Sequence, residues 1–120
     1  MIYIGTDIVK ISRIEQIISK QGQRFLSHIF TDNEQSTCDG KVSPNIHYGG
    51  KFAAKEAVKK ALLSSRRKKN IPFSRIEIQN KEDGSPLVIL RDETGRLDDI
   101  HVSISHTDDY AIATAILEIK

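Results

Sequence analysis

A single cysteine, Cys38, excludes an internal disulfide and any zinc site built on cysteine pairs. No apolar run approaches the roughly 20 residues that a membrane-spanning helix requires, so no membrane association is expected. The opening residues, Met1 to Val9, carry no basic leader and are interrupted by Asp7; they read as a strand rather than as a signal peptide. Together these absences point to a cytoplasmic protein. Tryptophan is missing, there are only three tyrosines and four phenylalanines, and none of them interleaves with the basic run Arg66 to Lys69. Base-stacking platforms are therefore scarce, and nucleic acid is not the expected partner. There are also no internal repeats, no low-complexity tract and no interdomain linker, so the 120 residues are expected to form one domain with one core.

What the chain does have is charge in one place. The net charge is only +2, yet residues 51 to 75 hold nine Lys or Arg and a single acid, Glu56. A local excess of this kind suits a polyanion, although a charge run is by itself most often a solvated face. One carboxylate set among cations on a helix gives a further option: a metal ion and the phosphates that such an ion bridges.

Hydrophobic periodicity divides the chain into a helical half and a strand-rich half. Ile2 and Ile4 lead a first strand, with Asp7 expected at its end. Ser12 and Glu15 have capping-box spacing, and Ile11, Ile14, Ile17 and Ile18 follow at helical spacing to about Lys20, leaving Lys10 and Arg13 on the solvated side. A short helix is expected over Arg24 to Phe30. Thr31 and Glu34 repeat the capping-box pattern and start another turn or two, which Gly40 ends. Ser43 followed by Pro44 opens a long helix to about Ser64, in which Ala53, Ala57, Ala61, Val58 and Leu62 mark the buried face while Glu56 and Lys60 share another. Gly49 and Gly50 inside that helix predict a kink or the close approach of another backbone. Beyond Pro72 the pattern predicts strands over Arg75 to Gln79, Leu87 to Leu90, Ile100 to Ser105 and Tyr110 to Ile119, joined as an antiparallel meander. The fold class is α+β: a mostly antiparallel sheet with a long helix packed against it.

Three constellations carry chemistry. Asp7 and Glu56 form a carboxylate pair if the first strand lies beside the long helix; two carboxylates are too few for calcium but suit Mg²⁺, which keeps waters and completes its octahedron with substrate phosphates. Spacing alone favours plainer roles, an ion pair with Lys60 for Glu56 and a strand-end cap for Asp7. Ile104-Ser105-His106 closes a strand whose alternation places Val102, Ile104 and His106 on one face. Adjacent serine and histidine make no hydrolase triad, because nucleophile and base must meet in space with a third group orienting the base. The third constellation is the Arg66 to Lys69 run, suited to a terminal phosphate or an RNA backbone.

Read in order, Gly5-Thr6-Asp7-Ile8-Val9, Arg13-Ile14, Arg24-Phe25-Leu26, Phe30-Thr31, Phe52-Ala53-Ala54-Lys55-Glu56-Ala57 with Lys60-Ala61-Leu62, and Val102-Ser103-Ile104-Ser105-His106 with Tyr110-Ala111 closely resemble the holo-acyl-carrier-protein synthases, the small 4′-phosphopantetheinyl transferases. The resemblance spans nearly the whole chain. It implies the 4′-phosphopantetheinyl transferase fold and transfer of phosphopantetheine from coenzyme A to a serine of an apo acyl carrier protein, in support of fatty acid biosynthesis. It further implies that Asp7 and Glu56 hold Mg²⁺ against the coenzyme A pyrophosphate and that Lys60 neutralises charge as the anhydride breaks, which outweighs the plainer readings of the two acids. Glu56 itself or a metal-bound water are both open as the base. Lys51 and His106 match positions near coenzyme A, Arg13 matches a carrier-binding arginine that Arg24 and Phe25 extend, and a homotrimer with coenzyme A between subunits is implied. One departure stands out: where the family has a Gly-Thr-Gly-like loop, this chain has Leu63-Ser64-Ser65 and the basic run, so Arg66 and Arg67 are expected to take over phosphate contacts.

Overall fold

The structure, a computed structural model, describes residues 1–66, 71–91 and 99–119. Five strands and four α-helices follow in the order β1 (Ile2–Lys10), α1 (Ile11–Gln21), α2 (Gln23–Ile29), α3 (Asp32–Asp39), α4 (Pro44–Ser65), β2 (Ile76–Asn80), β3 (Pro86–Leu90), β4 (Asp99–His106) and β5 (Tyr110–Glu118), with a 3₁₀ turn at Phe73–Arg75 before β2. The α+β class holds, but the strands form no single meander. β1 pairs antiparallel with β5, and β5 with β4, as a three-stranded sheet; β2 and β3 form a separate hairpin. The first strand thus lies against the last, a non-local pairing that hydrophobic alternation does not reveal.

Local signals explain most of the helix boundaries. Thr31 and Glu34 do form the reciprocal capping box: the Glu34 backbone N–H donates to Thr31 Oγ1 at 3.2 Å and the Thr31 N–H to Glu34 Oε1 at 2.8 Å. The Ser12–Glu15 box does not form. α1 begins two residues earlier, with Lys10 at its N-cap position, and the Ile11 N–H donates to the Asp109 carbonyl at 2.9 Å, so the β4–β5 turn satisfies a donor at the helix start where a side-chain cap was expected. Pro44 occupies the first turn of α4 as expected, while the Ser43 side chain makes no capping bond.

Helix α4 is continuous through Gly49 and Gly50, and its small residues face the three-stranded sheet. Ala53, Ala57, Val58, Ala61 and Leu62 are buried, opposite Val9 of β1 and Ala111, Ala113, Ala115 and Leu117 of β5. The two helix glycines admit neighbouring side chains rather than a backbone. A Cβ on Gly50 would stand 3.2 Å from Ile104 Cγ2, and one on Gly49 3.4 Å from Ile11 Cγ1. The backbone approach is made instead by Gly5 on β1, where a Cβ would stand 2.0 Å from the Ala57 carbonyl oxygen and 2.8 Å from the Ala61 nitrogen. Side chains on β1 alternate, so Tyr3, Gly5, Asp7 and Val9 face the helix. Ile2, Ile4, Thr6 and Ile8 face away, and the three isoleucines are 63, 58 and 64% exposed.

The hairpin and α3 are attached to the other side of α4 through a buried polar network. The Lys55 ammonium lies 2.6 Å from Glu34 Oε1 with both side chains fully buried, and it also donates to the carbonyls of Ile29 and Phe73 at 2.8 and 2.9 Å. Glu34 Oε2 accepts from the Ile78 N–H at 2.7 Å. Every donor and acceptor of this pair is used, which offsets the cost of taking two charges out of water; leaving one charge unpaired would cost roughly 3–5 kcal/mol.

Gly5→Ala is expected to force β1 off α4 and to lower unfolding free energy by about 3 kcal/mol, the upper part of the usual overpacking range. Urea denaturation at constant m-value reads this directly; an unchanged midpoint would show that β1 can shift at no cost.

Candidate functional site

Asp7 lies within β1, three residues before its end, rather than at the terminus. It reaches the site because the Gly5 contact sets β1 directly on α4, and because side chains two apart on a strand share a face. Glu56 is on α4, beside the Ala57 that Gly5 touches. The two carboxylates line one cleft of about 500 Å³ together with Lys10, Arg13, Ile14, Ile17, Phe52 and Tyr110. Burial raises the Glu56 pKa above its ordinary value and the Asp7 charge raises it further, against the opposing pull of Lys59 and Lys60. A carboxylate whose ionisation is disfavoured by burial and by a second carboxylate at the same cleft wall belongs to a donor set that a cation would relieve.

Lys60 does not pair with Glu56, its neighbour one turn away. Its ammonium donates to Asp7 Oδ1 at 3.2 Å and to the Thr6 carbonyl at 3.0 Å, crossing from helix to strand. Half-exposed, this pair contributes little to stability. It does hold a cation beside the carboxylates, within reach of anything bound there. Among the described residues no cluster of three or more His, Cys, Asp or Glu could hold a metal, so an ion at this cleft would draw its remaining ligands from water and substrate. That donor set fits Mg²⁺.

Arg13 and Lys10 are exposed on the rim of the same cleft. Arg24 lies in a neighbouring hollow lined by Gln21, Phe25 and His28. Phe25 is only 9% exposed; its ring packs against Phe30 and Phe52 at centroid distances of 6.2 and 6.4 Å, so it supports the hollow more than it projects from it.

The remaining expected residues lie elsewhere. Lys51 and His106 line a second cavity of about 300 Å³, with Lys41, His47, Asn80 and Ile104 among its other walls. Lys51 is 5% exposed and donates to the Ile78 carbonyl at 2.7 Å and to Asn80 Oδ1 at 3.3 Å. Burial lowers its pKa, and the Cys38, Glu34 and Glu77 groups partly restore it. His47, nine positions before Glu56 on α4, therefore lies about 13 Å away along the axis and on the opposite face of the helix. The structure thus separates the site residues into two groups, on opposite faces of α4. Arg66 ends α4 in the left-handed region at φ 58°, where glycine would be unstrained, and it is exposed. Arg67 and the rest of the basic run through Lys69 lie outside the described residues.

Sequence reasoning missed Lys10, Ile17 and Tyr110 at the cleft and Lys41 and His47 at the cavity. Helical periodicity could have indicated Ile17, which follows Arg13 by one turn. Nothing in the sequence places Tyr110 there, because it depends on β5 returning beside β1.

Comparison with known proteins agrees with this fold. A family model described as the 4′-phosphopantetheinyl transferase superfamily matches residues 3–115. The chain is 42% identical over 116 residues to a holo-[acyl-carrier-protein] synthase of Protochlamydia amoebophila, covering 94% of each sequence. Among solved structures, a holo-(acyl-carrier-protein) synthase from Bacillus anthracis in complex with CoA (3′,5′-ADP) matches with a TM-score of 0.80 and 32% identity, over 98% of this chain and 96% of that one. The Chronobacterium ammoniagenes ACPS-CoA complex matches with a TM-score of 0.87 and 27% identity, over 100% of this chain and 98% of that one.

Proposed function

We propose that this chain, which belongs to the 4′-phosphopantetheinyl transferase superfamily, is a holo-[acyl-carrier-protein] synthase that moves phosphopantetheine from coenzyme A to a serine of an apo acyl carrier protein. The observation that carries the reading is the meeting of Asp7 and Glu56 at one cleft with Lys60 alongside. In this reading Asp7 and Glu56 hold Mg²⁺, which when bound supplies positive charge to the pyrophosphate oxygens. Lys60 moves its ammonium from Asp7 to the phosphate oxygens as negative charge builds on them. The serine oxygen bonds to the phosphorus on the pantetheine side, and the bridging P–O bond breaks. Adenosine 3′,5′-bisphosphate leaves with the electron pair. Glu56 is the carboxylate available to receive the serine proton, and Ile14, Ile17 and Phe52 give the cleft an apolar wall. No covalent intermediate on this chain is needed.

Carrier binding falls to Arg13 at the cleft rim, with Arg24 and the Phe25 edge extending the basic surface toward an acidic helix. The enzyme acts as a homotrimer. Support comes from the outward face of the sheet, where Ile2, Ile4 and Ile8 of β1 lie beside Ile112 and Ile116 of β5, all exposed, a contiguous apolar surface of the kind that marks an interface. The two groups of site residues on opposite faces of α4 also suit a coenzyme that lies between copies. A cytoplasmic place in fatty acid biosynthesis follows from the carrier substrate. It is consistent with the buried free thiol of Cys38, whose pKa burial pushes up to about 12, and with the absence, among the described residues, of any helix long and apolar enough to cross a membrane.

Incubation of the protein with apo carrier, coenzyme A and Mg²⁺ should raise the carrier mass by one phosphopantetheinyl group, and EDTA or Glu56→Gln should abolish the gain; no gain with any of several carriers would refute the assignment. Arg13→Ala should raise the KM for carrier about tenfold while leaving that for coenzyme A unchanged, as expected for loss of a charge contact to one partner. Equal effects on both would place Arg13 in the coenzyme site instead. Sedimentation equilibrium should give three times the chain mass, falling in Ile4→Asp with parallel loss of transfer. A monomer with full activity would overturn the assembly.

A further inference from the structure

We propose that His47 is a phosphate ligand of the second cavity, and that it takes up a proton when the coenzyme binds there. The inference rests on the synthase reading and assigns to that site a residue and a proton step.

The cavity has a one-sided electrostatic character. Lys41 comes from the α3–α4 connection, His47 and Lys51 from α4 and His106 from the end of β4, while no carboxylate lines it. The carboxylates close by are engaged: Asp39 of α3 accepts the Tyr48 hydroxyl at 2.7 Å, and Asp83 in the β2–β3 turn accepts from the Ser85 N–H and hydroxyl at 2.9 and 2.6 Å. The His47 and His106 rings lie edge-on to each other, with centroids 6.4 Å apart and planes at 61°. Four groups that are cationic or able to become so therefore converge on one volume whose lining holds no carboxylate, with Glu34 and Glu77 acting on Lys51 from behind it. Such a cavity favours an anion, and coenzyme A offers phosphate groups as the anions.

In this cavity His47 is hindered from holding a charge. Burial lowers its pKa below the ordinary histidine value, and Lys41, His106 and Lys51 lower it further. A bound phosphate reverses the local potential: it screens the Lys41 and Lys51 charges and offers an oxygen to an imidazole N–H. The charged form of His47 is then favoured and its pKa rises. At a pH between the two values the imidazole takes one proton from the buffer as the ligand enters, with no covalent bond made or broken. The sign follows directly: the contribution of His47 to affinity is largest at low pH and is lost as pH rises through the bound-state pKa. Lys51, already held by Ile78 and Asn80, is a fixed charge behind it, and His47 supplies the adjustable one.

The test is calorimetric titration of the full-length protein with coenzyme A at pH 7.5 in Mg²⁺-saturated buffers that differ in ionisation enthalpy; the slope of the observed enthalpy against that enthalpy counts protons. The wild type should take up protons. His47→Gln should abolish the uptake and weaken binding roughly ten- to a hundredfold, the cost of one charge-assisted hydrogen bond. His47→Lys, permanently charged, should restore affinity without uptake, which a merely structural histidine would not do. Dephospho-coenzyme A serves as a second ligand. Loss of uptake with it assigns the ribose phosphate, and retained uptake assigns the pyrophosphate. Binding without uptake in the wild type, or uptake that survives in both variants, overturns the role of His47 and leaves the synthase reading standing. No binding of either ligand by the wild type overturns both.

Discussion

The rest of this structure depends on one backbone contact, β1 against α4 at Gly5. Any side chain there would enter the volume of the Ala57 carbonyl, so the strand can lie on the helix only where its side chain is a hydrogen and where the helix offers alanines. Once that contact is made, little freedom remains. Two residues further along the same face of the strand Asp7 must meet the helix, and the helix presents Glu56 and Lys60 there. The cleft is a consequence of packing, and its carboxylates are close because the apolar residues beside them are small.

A second constraint acts from the opposite side of α4. Glu34 and Lys55 are buried without exposure, and between them they engage four backbone groups or side chains belonging to α2, α3, β2 and the 3₁₀ turn. Burying an ion pair is a weak route to stability, because desolvation consumes most of the Coulomb attraction. Its value here is directional. An apolar core would let the hairpin slide along α4, whereas each bond of this network fixes a particular carbonyl or N–H against the helix. Lys55 precedes Glu56, so the residue that locks the helix on one side adjoins the one that lines the cleft on the other.

Electrostatically two faces of α4 are opposites. One presents Asp7 and Glu56, a donor set that suits a cation; the other gathers Lys41, His47, Lys51 and His106 around a cavity with no carboxylate in its lining. Coenzyme A, brought with a divalent ion, would suit both faces. Since a single copy of the chain presents the two groups on opposite faces of the helix, the proposed assembly of copies through the exposed isoleucine face would make coenzyme binding part of the same arrangement.

The sequence by itself determined the elements and the list of acids. The buried alanine stripe on α4, the Thr31–Glu34 box, Pro44 at the helix start and the turn before Tyr110 are all local, set by periodicity and by side chains reaching a few residues along the chain. Resemblance to a family supplied the pairing of Asp7 with Glu56 that spacing alone argued against. Tertiary structure decided what depends on distant segments meeting. The Asp109 carbonyl replaced the Ser12 cap, Lys60 turned to Asp7 rather than Glu56, the strands divided into two sheets, and His47 came to lie beside His106. Each of these depends on which partner a group finds when several are chemically adequate. That choice is made by packing between elements far apart in the chain, which no local pattern of residues records.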